Sequence, residues 1–207
     1  MTRHYATAAS ATVIALIGVS AWFAFGNRPD DPLAECRASV VASGAADIGG
    51  PFTLIDETGA TVTDTDVITG PTLVYFGYTF CPDVCPLDNA RNAEAVDILQ
   101  EMGLSVKPVF ISVDPARDTP EQLAAFTDAM HPDMLGLTGS EEQVKAASAA
   151  YKTYFKVQDP GDEYTLIDHS TFTYLMFPKT GFAEFFKRDD TADDVARRTA
   201  CFIEALS

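Results

Sequence analysis

A strand that runs straight into two cysteines and then into a helix constrains this chain more than any other feature. Thr72-Leu-Val-Tyr-Phe-Gly77 is β-branched and aromatic and reads as a strand inside a sheet. Cys81-Pro-Asp-Val-Cys85-Pro86 follows it, and the spacing of Ala95, Ile98, Leu99 and Met102 predicts a helix from about Asp88 to Met102. The two thiols therefore stand four positions apart at a strand-to-helix junction. Four positions apart in a helix means one shared face, so both sulfurs can aim at one object. That object is a metal ion, or each sulfur is the other's partner in a disulfide. A helix N-terminus beside them would lower both thiol pKa values and favour thiolates.

The rest of the chain alternates strand and helix signals. Ile48 to Asp56 and Glu57 to Val62 predict a hairpin turning at Thr58-Gly59. Val106 to Val113 is a second core strand. It ends in Asp114-Pro-Ala-Arg117-Asp118-Thr119-Pro120, where Thr119 is an N-cap and Pro120 a first helical residue. That helix runs to about Met130. A short strand begins at Leu135, and Ser140 caps a helix to about Tyr151. Thr165 to Phe177 is strand material broken at Asp168-His169-Ser170, Phe182 to Phe186 completes a hairpin, and Thr191 caps a last helix to Leu206. Such alternation predicts an α/β sheet covered on both faces. In the Asp114–Pro120 turn, Arg117 and Asp118 are expected to pair with each other.

Ahead of this domain, Ala6 to Phe25 is a run of about twenty uncharged residues, preceded by Arg3 and followed by Arg28, Asp30 and Asp31. It predicts a single transmembrane helix with the domain on the periplasmic or equivalent extracytoplasmic side. A cleaved signal peptide is the rival reading. Ala24-Phe25-Gly26 is a poor cleavage site, and Trp22 and Phe23 suit an interface anchor. The expected organisation is a membrane anchor over 1–26, a linker over 27–46 and a folded domain over 47–207. Of 14 basic residues one is Arg3, against 30 acidic residues in all, so the exported part is strongly acidic. That balance excludes nucleic acid and anionic lipid as partners of the domain. An exported chain with four cysteines invites disulfide bookkeeping. Cys81 and Cys85 pair by proximity. Cys36 and Cys201 are left near the two ends of the domain, where either a structural disulfide joins them or Cys36 is free beside the membrane.

Gly77-Tyr-Thr-Phe-Cys81-Pro-Asp-Val-Cys85-Pro86, then Ser112-Val-Asp114-Pro-Ala-Arg117-Asp118-Thr119-Pro120, then Asp168-His169-Ser170 together resemble the signatures of the Sco/SenC family. The likeness spans about Gly49 to Leu206. It implies a thioredoxin-like mixed sheet flanked by helices, with an inserted β-hairpin and an N-terminal membrane anchor. It further implies one copper ion, Cu(I) or Cu(II), held by Cys81, Cys85 and His169. The function it implies is assembly of the dinuclear copper centre of cytochrome c oxidase. The implied partners are the copper-bearing subunit of a haem–copper oxidase and another copper carrier. The donor set agrees with copper, because thiolates are soft ligands and imidazole suits copper. Structural zinc would want a fourth protein ligand, and no spare Cys or His stands near these motifs. Asp168 and Asp114 are candidates for the outer shell of the site.

A thiol–disulfide oxidoreductase using Cys81 and Cys85 is the rival function, and a redox sensor uses the same thiols. Against exchange, three residues separate the cysteines where redox motifs have two. The stretch Asp168-His169-Ser170 also offers a histidine where redox enzymes of this fold carry a proline. A peroxidase would place a threonine three residues before its reactive cysteine; Tyr78 stands there. Met130-His131-Pro-Asp-Met134 reads as a helix end whose methionines pack, not as a second copper site.

Overall fold

The computed structural model describes Leu33, residues 35–37, 48–158 and 165–206. The apolar run of residues 6–25 and most of the expected linker lie outside the described residues. Among those that are described, no helix is long and apolar enough to cross a membrane. The chain divides into a unit of residues 1–35 and one of residues 36–207, and all described secondary structure belongs to the second.

Nine strands and five helices are described: β1 (Thr53–Asp56), β2 (Thr61–Thr63), α1 (Asp64–Val67), β3 (Thr72–Gly77), α2 (Val84–Glu101), β4 (Lys107–Ser112), α3 (Pro120–Met130), β5 (Leu135–Thr138), α4 (Glu141–Ala150), β6 (Phe155–Val157), β7 (Ile167–His169), β8 (Thr173–Phe177), β9 (Gly181–Phe186) and α5 (Ala192–Leu206). Seven strands form one sheet in the order β2-β1-β5-β4-β3-β8-β9. Strands β3, β4 and β5 run parallel at its centre, and β1, β8 and β9 pair antiparallel outside them. All six residues of β3 are buried, as a central strand covered on both faces requires. Period-two alternation sends Tyr75 toward Phe110, and Phe76 toward Tyr151 and Tyr174 on the opposite face.

Local signals place most boundaries. Thr119 Oγ1 accepts the Gln122 N–H, with Pro120 at the first helical position, and Ser140 with Gln143 forms a reciprocal capping box. Two elements escape the sequence pattern. Helix α1 is a single turn boxed by Thr63 and Asp66, too short for a periodic signal. Strand β6 holds only three residues and pairs antiparallel with β7 in a separate two-stranded sheet. The expected break at 168–170 moves accordingly: Asp168 and His169 are strand residues that pair with Lys156 and Phe155. The chain leaves the strand at Ser170 to Phe172 instead. His169 thus ends a short strand outside the main sheet and does not begin a strand within it.

Cys36 and Cys201 are joined by a disulfide with Cα atoms 5.5 Å apart, which ties the start of the second unit to α5.

Candidate metal centre

Strand β3 ends at Gly77, and Tyr78, Thr79 and Phe80 carry the chain to Cys81, where the Cys81 N–H donates back to the Tyr78 carbonyl at 3.2 Å. Helix α2 starts at Val84, so Cys85 lies in its first turn while Cys81 lies in the loop before it. The two sulfurs meet, but not as neighbours on one helical face. The loop folds Cys81 Sγ over the helix end, where it accepts the Cys85 N–H at 3.4 Å. No side-chain oxygen caps α2 and no acidic residue stands in its first turn, leaving its positive end to the sulfurs.

Both cysteines are unbridged and buried. His169 Nε2 reaches to 3.2 Å from Cys85 Sγ. One ligand atom each from Cys81, Cys85 and His169 lies within 4.8 Å of the others, the one such cluster among the described residues. The His169 Nδ1 is 2.9 Å from the Ser170 carbonyl. A carbonyl can only accept, so Nδ1 donates to it, and Nε2 is the ring nitrogen that faces the sulfurs. Tyr75 and Tyr78 meet the imidazole edge-to-face, with ring centroids 6.1 and 5.8 Å away.

The two thiols are not equivalent. The Cys85 thiol beside it, then His169 and the backbone N–H groups of Asp83 and Cys85, pull Cys81 down to about 3 against the opposing effect of burial. Cys85 is pushed up, first by its hydrogen bond to the Cys81 sulfur and then by burial. The expectation that the helix end lowers both is corrected: a thiolate next door favours the neighbour's proton more than the helix end opposes it. Burial, followed by the electrostatic influence of its neighbours Cys85 and Asp88, also raises the Tyr75 phenol, whose hydroxyl donates to Asp88 Oδ2 at 2.9 Å.

The acids expected around the site sit differently. Strand alternation leaves Asp168 exposed, with its carboxylate accepting from the Gln158 side-chain amide. The Ser170 carbonyl, not Asp168, orients the imidazole. Asp114 is buried and pairs with Arg117. The expected Arg117–Asp118 pair does not form. Asp118 is fully buried and accepts from Thr79 N at 3.1 Å, Thr79 Oγ1 at 2.6 Å and Ser112 Oγ at 2.5 Å. Its carboxyl pKa is raised, because burial outweighs those bonds. Asp118 thus pins the loop two residues before Cys81. Nothing local in the sequence marks a contact between residues so far apart. His131 is also buried, taking the Asp133 N–H on Nδ1 at 3.0 Å and facing Asp97 through Nε2 at 3.3 Å, a helix-end arrangement with no metal cluster.

A mixed sheet with helices on both faces, and a dithiol where its central strand meets a helix, defines a thioredoxin-like protein. The added imidazole gives this one a soft three-donor site. The family model described as SCO1/SenC matches residues 40–204, and the chain belongs to that family. It is 57% identical to the protein SenC of Rhodobacter capsulatus over 97% of this chain and 90% of that one. It is 41% identical to the mitochondrial SCO1 homolog 1 of Arabidopsis thaliana over 74% of this chain, which spans 46% of that protein. Among solved structures, copper-bound ScoI of Arabidopsis thaliana is similar with a TM-score of 0.72 and 38% identity, covering 76% of this chain and 99% of that one. Copper-bound ScoI of Bradyrhizobium japonicum gives 0.67 and 35%, covering 74% and 98%.

Proposed function

We propose that this chain is a membrane-tethered copper-binding assembly factor, which delivers copper to, or helps mature, the dinuclear copper centre of cytochrome c oxidase. Copper is its cargo. Cys81 and Cys85 supply thiolates and His169 an imidazole, and the residues 6–25 hold the domain on the extracytoplasmic side. The copper-bearing oxidase subunit receives the ion, and another carrier supplies it. The observation that carries this reading is the convergence of two sulfurs and one nitrogen within 4.8 Å at a helix N-terminus. The set is soft enough for Cu(I), and its imidazole serves Cu(II) as well. A closed tetrahedral zinc site would need a fourth protein donor. Copper in two related structures points the same way.

Anaerobic titration of the reduced protein with Cu(I) and then Cu(II), repeated on His169→Ala, tests it. One equivalent of copper and a thiolate-to-copper band that weakens in the variant are expected. Absence of binding, or binding indifferent to His169, would overturn the reading.

The split between the thiols favours a second reading, disulfide exchange on the cysteines of an oxidase subunit. Cys81, a thiolate with its pKa near 3, would attack and the protonated Cys85 would resolve. The two roles share one requirement, since copper binds only the reduced pair.

A further inference from the structure

Main-sheet pairing does not fix the third donor. His169 lies on β7, whose strand partner is β6 alone, and Ser170 to Phe172 separate it from β8. Sheet register fixes β3, which leads into the cysteine loop, but leaves the imidazole on a separate hairpin, so contacts other than main-sheet pairing hold that hairpin against the dithiol.

We propose that Arg117 is a positioning residue that ties the β6–β7 hairpin to the body of the domain and thereby keeps His169 on the two sulfurs. This deepens the copper reading above and rests on it. Arg117 leaves the turn between β4 and α3 and reaches three places at once. Its Nε pairs with the Asp114 carboxylate. Its Nη2 donates to the Thr165 carbonyl, at the start of the chain into β7, at 2.9 Å. Its guanidinium carbon lies over the rings of Phe80 and Tyr78 of the cysteine loop, 5.0 and 5.8 Å from their centroids. Tyr78 in turn accepts the Ile167 N–H at 3.3 Å and sets its ring edge-to-face with His169. The base of the strut is firm: the Asp114 N–H donates to Ser112 Oγ at 2.9 Å, and Ser112 and Thr79 both bind the buried Asp118. One chain of contacts thus runs from the loop carrying Cys81, through the β4–α3 turn, to the hairpin carrying His169. Only a guanidinium offers a fork and a stacking face together, so lysine cannot replace it fully.

The two copper states should feel its loss differently. Cu(I) is well served by two thiolates, whereas Cu(II) depends more on the imidazole. In the full chain, Arg117→Met is expected to weaken Cu(II) binding by about 10- to 100-fold, the usual effect of removing an outer-shell support. Its thiolate-to-copper band should approach that of His169→Ala. Cu(I) should bind with unchanged stoichiometry and within about tenfold of the original affinity. Arg117→Lys should fall between the two, and it decides the matter if Arg117→Met does not fold. Hydrogen exchange at the Ile167 amide, measured without metal, should quicken in both variants. Original Cu(II) affinity and original Ile167 protection in the variants would overturn the proposal, as would equal losses for Cu(I) and Cu(II). If the unmodified protein binds neither ion, the copper reading falls, while Ile167 exchange still judges the strut by itself.

Discussion

At the residue scale, the dithiol holds one proton unequally, and this has a consequence for stability. Cys81 is depressed to about 3 and Cys85 raised, whereas an unfolded thiol titrates near about 8.5. Between about 3 and 8.5 the folded pair binds one proton and the unfolded pair two, so the pair's contribution to stability rises with pH. Above about 8.5 the unfolded chain holds neither proton while Cys85 keeps its own, so the contribution falls. The stability difference between the reduced metal-free protein and a Cys81→Ser/Cys85→Ser variant should therefore peak near about pH 8.5. Denaturant unfolding across pH measures it, and a difference flat with pH would contradict the split. The donor types were legible because thiol and imidazole chemistry is carried by single residues. The burdens on Asp118 and Ser170 were not, because a carboxylate or carbonyl acquires its task from whatever donor the fold brings to it.

At the scale of elements, the junction between β3 and α2 is close-packed to the point of demanding glycine. A Cβ on Gly77 would stand 2.8 Å from Cys85 Sγ, 2.9 Å from the Tyr75 ring and 3.0 Å from the Phe110 ring. All three neighbours are buried, so none can yield cheaply. Gly77→Ala should cost about 1–3 kcal/mol through overpacking, read as a lowered denaturant midpoint. It should also displace the Cys85 thiol, read as faster alkylation of the reduced protein. An alanine variant as stable and as slowly alkylated as the original would show that the junction has slack. Strands and helices with long periodic or capped signals were legible from sequence. Strand β6 was not, since three residues carry no usable period and exist as strand only because β7 pairs with them.

At the scale of the molecule, the Cys36–Cys201 disulfide spans 165 positions. It lies at the end of α2 remote from the metal centre. Cys201 lines one cleft with Ile98 and Met102, and the helical rise from Cys85 to Ile98 is about 20 Å. Replacing both cysteines by serine should cost about 2–5 kcal/mol by freeing the unfolded chain. Copper stoichiometry and spectrum should stay unchanged. An altered copper spectrum in that variant would mean that the far end of α2 communicates with the site.

Local pattern and side-chain chemistry were determined by the sequence alone. They specified an α/β order of elements, most helix starts, a dithiol at a strand-to-helix junction and a histidine in a separate motif. Only the tertiary structure decided how those parts meet. It put Cys81 over the helix end and not along it, divided the proton unevenly between two thiols, and moved His169 onto a separate hairpin. It also turned Asp114, Arg117 and Asp118 from a local turn into the frame of the site. The physical reason is range. Periodicity and capping act over a few residues, whereas burial and hydrogen bonding answer to neighbours that folding alone selects.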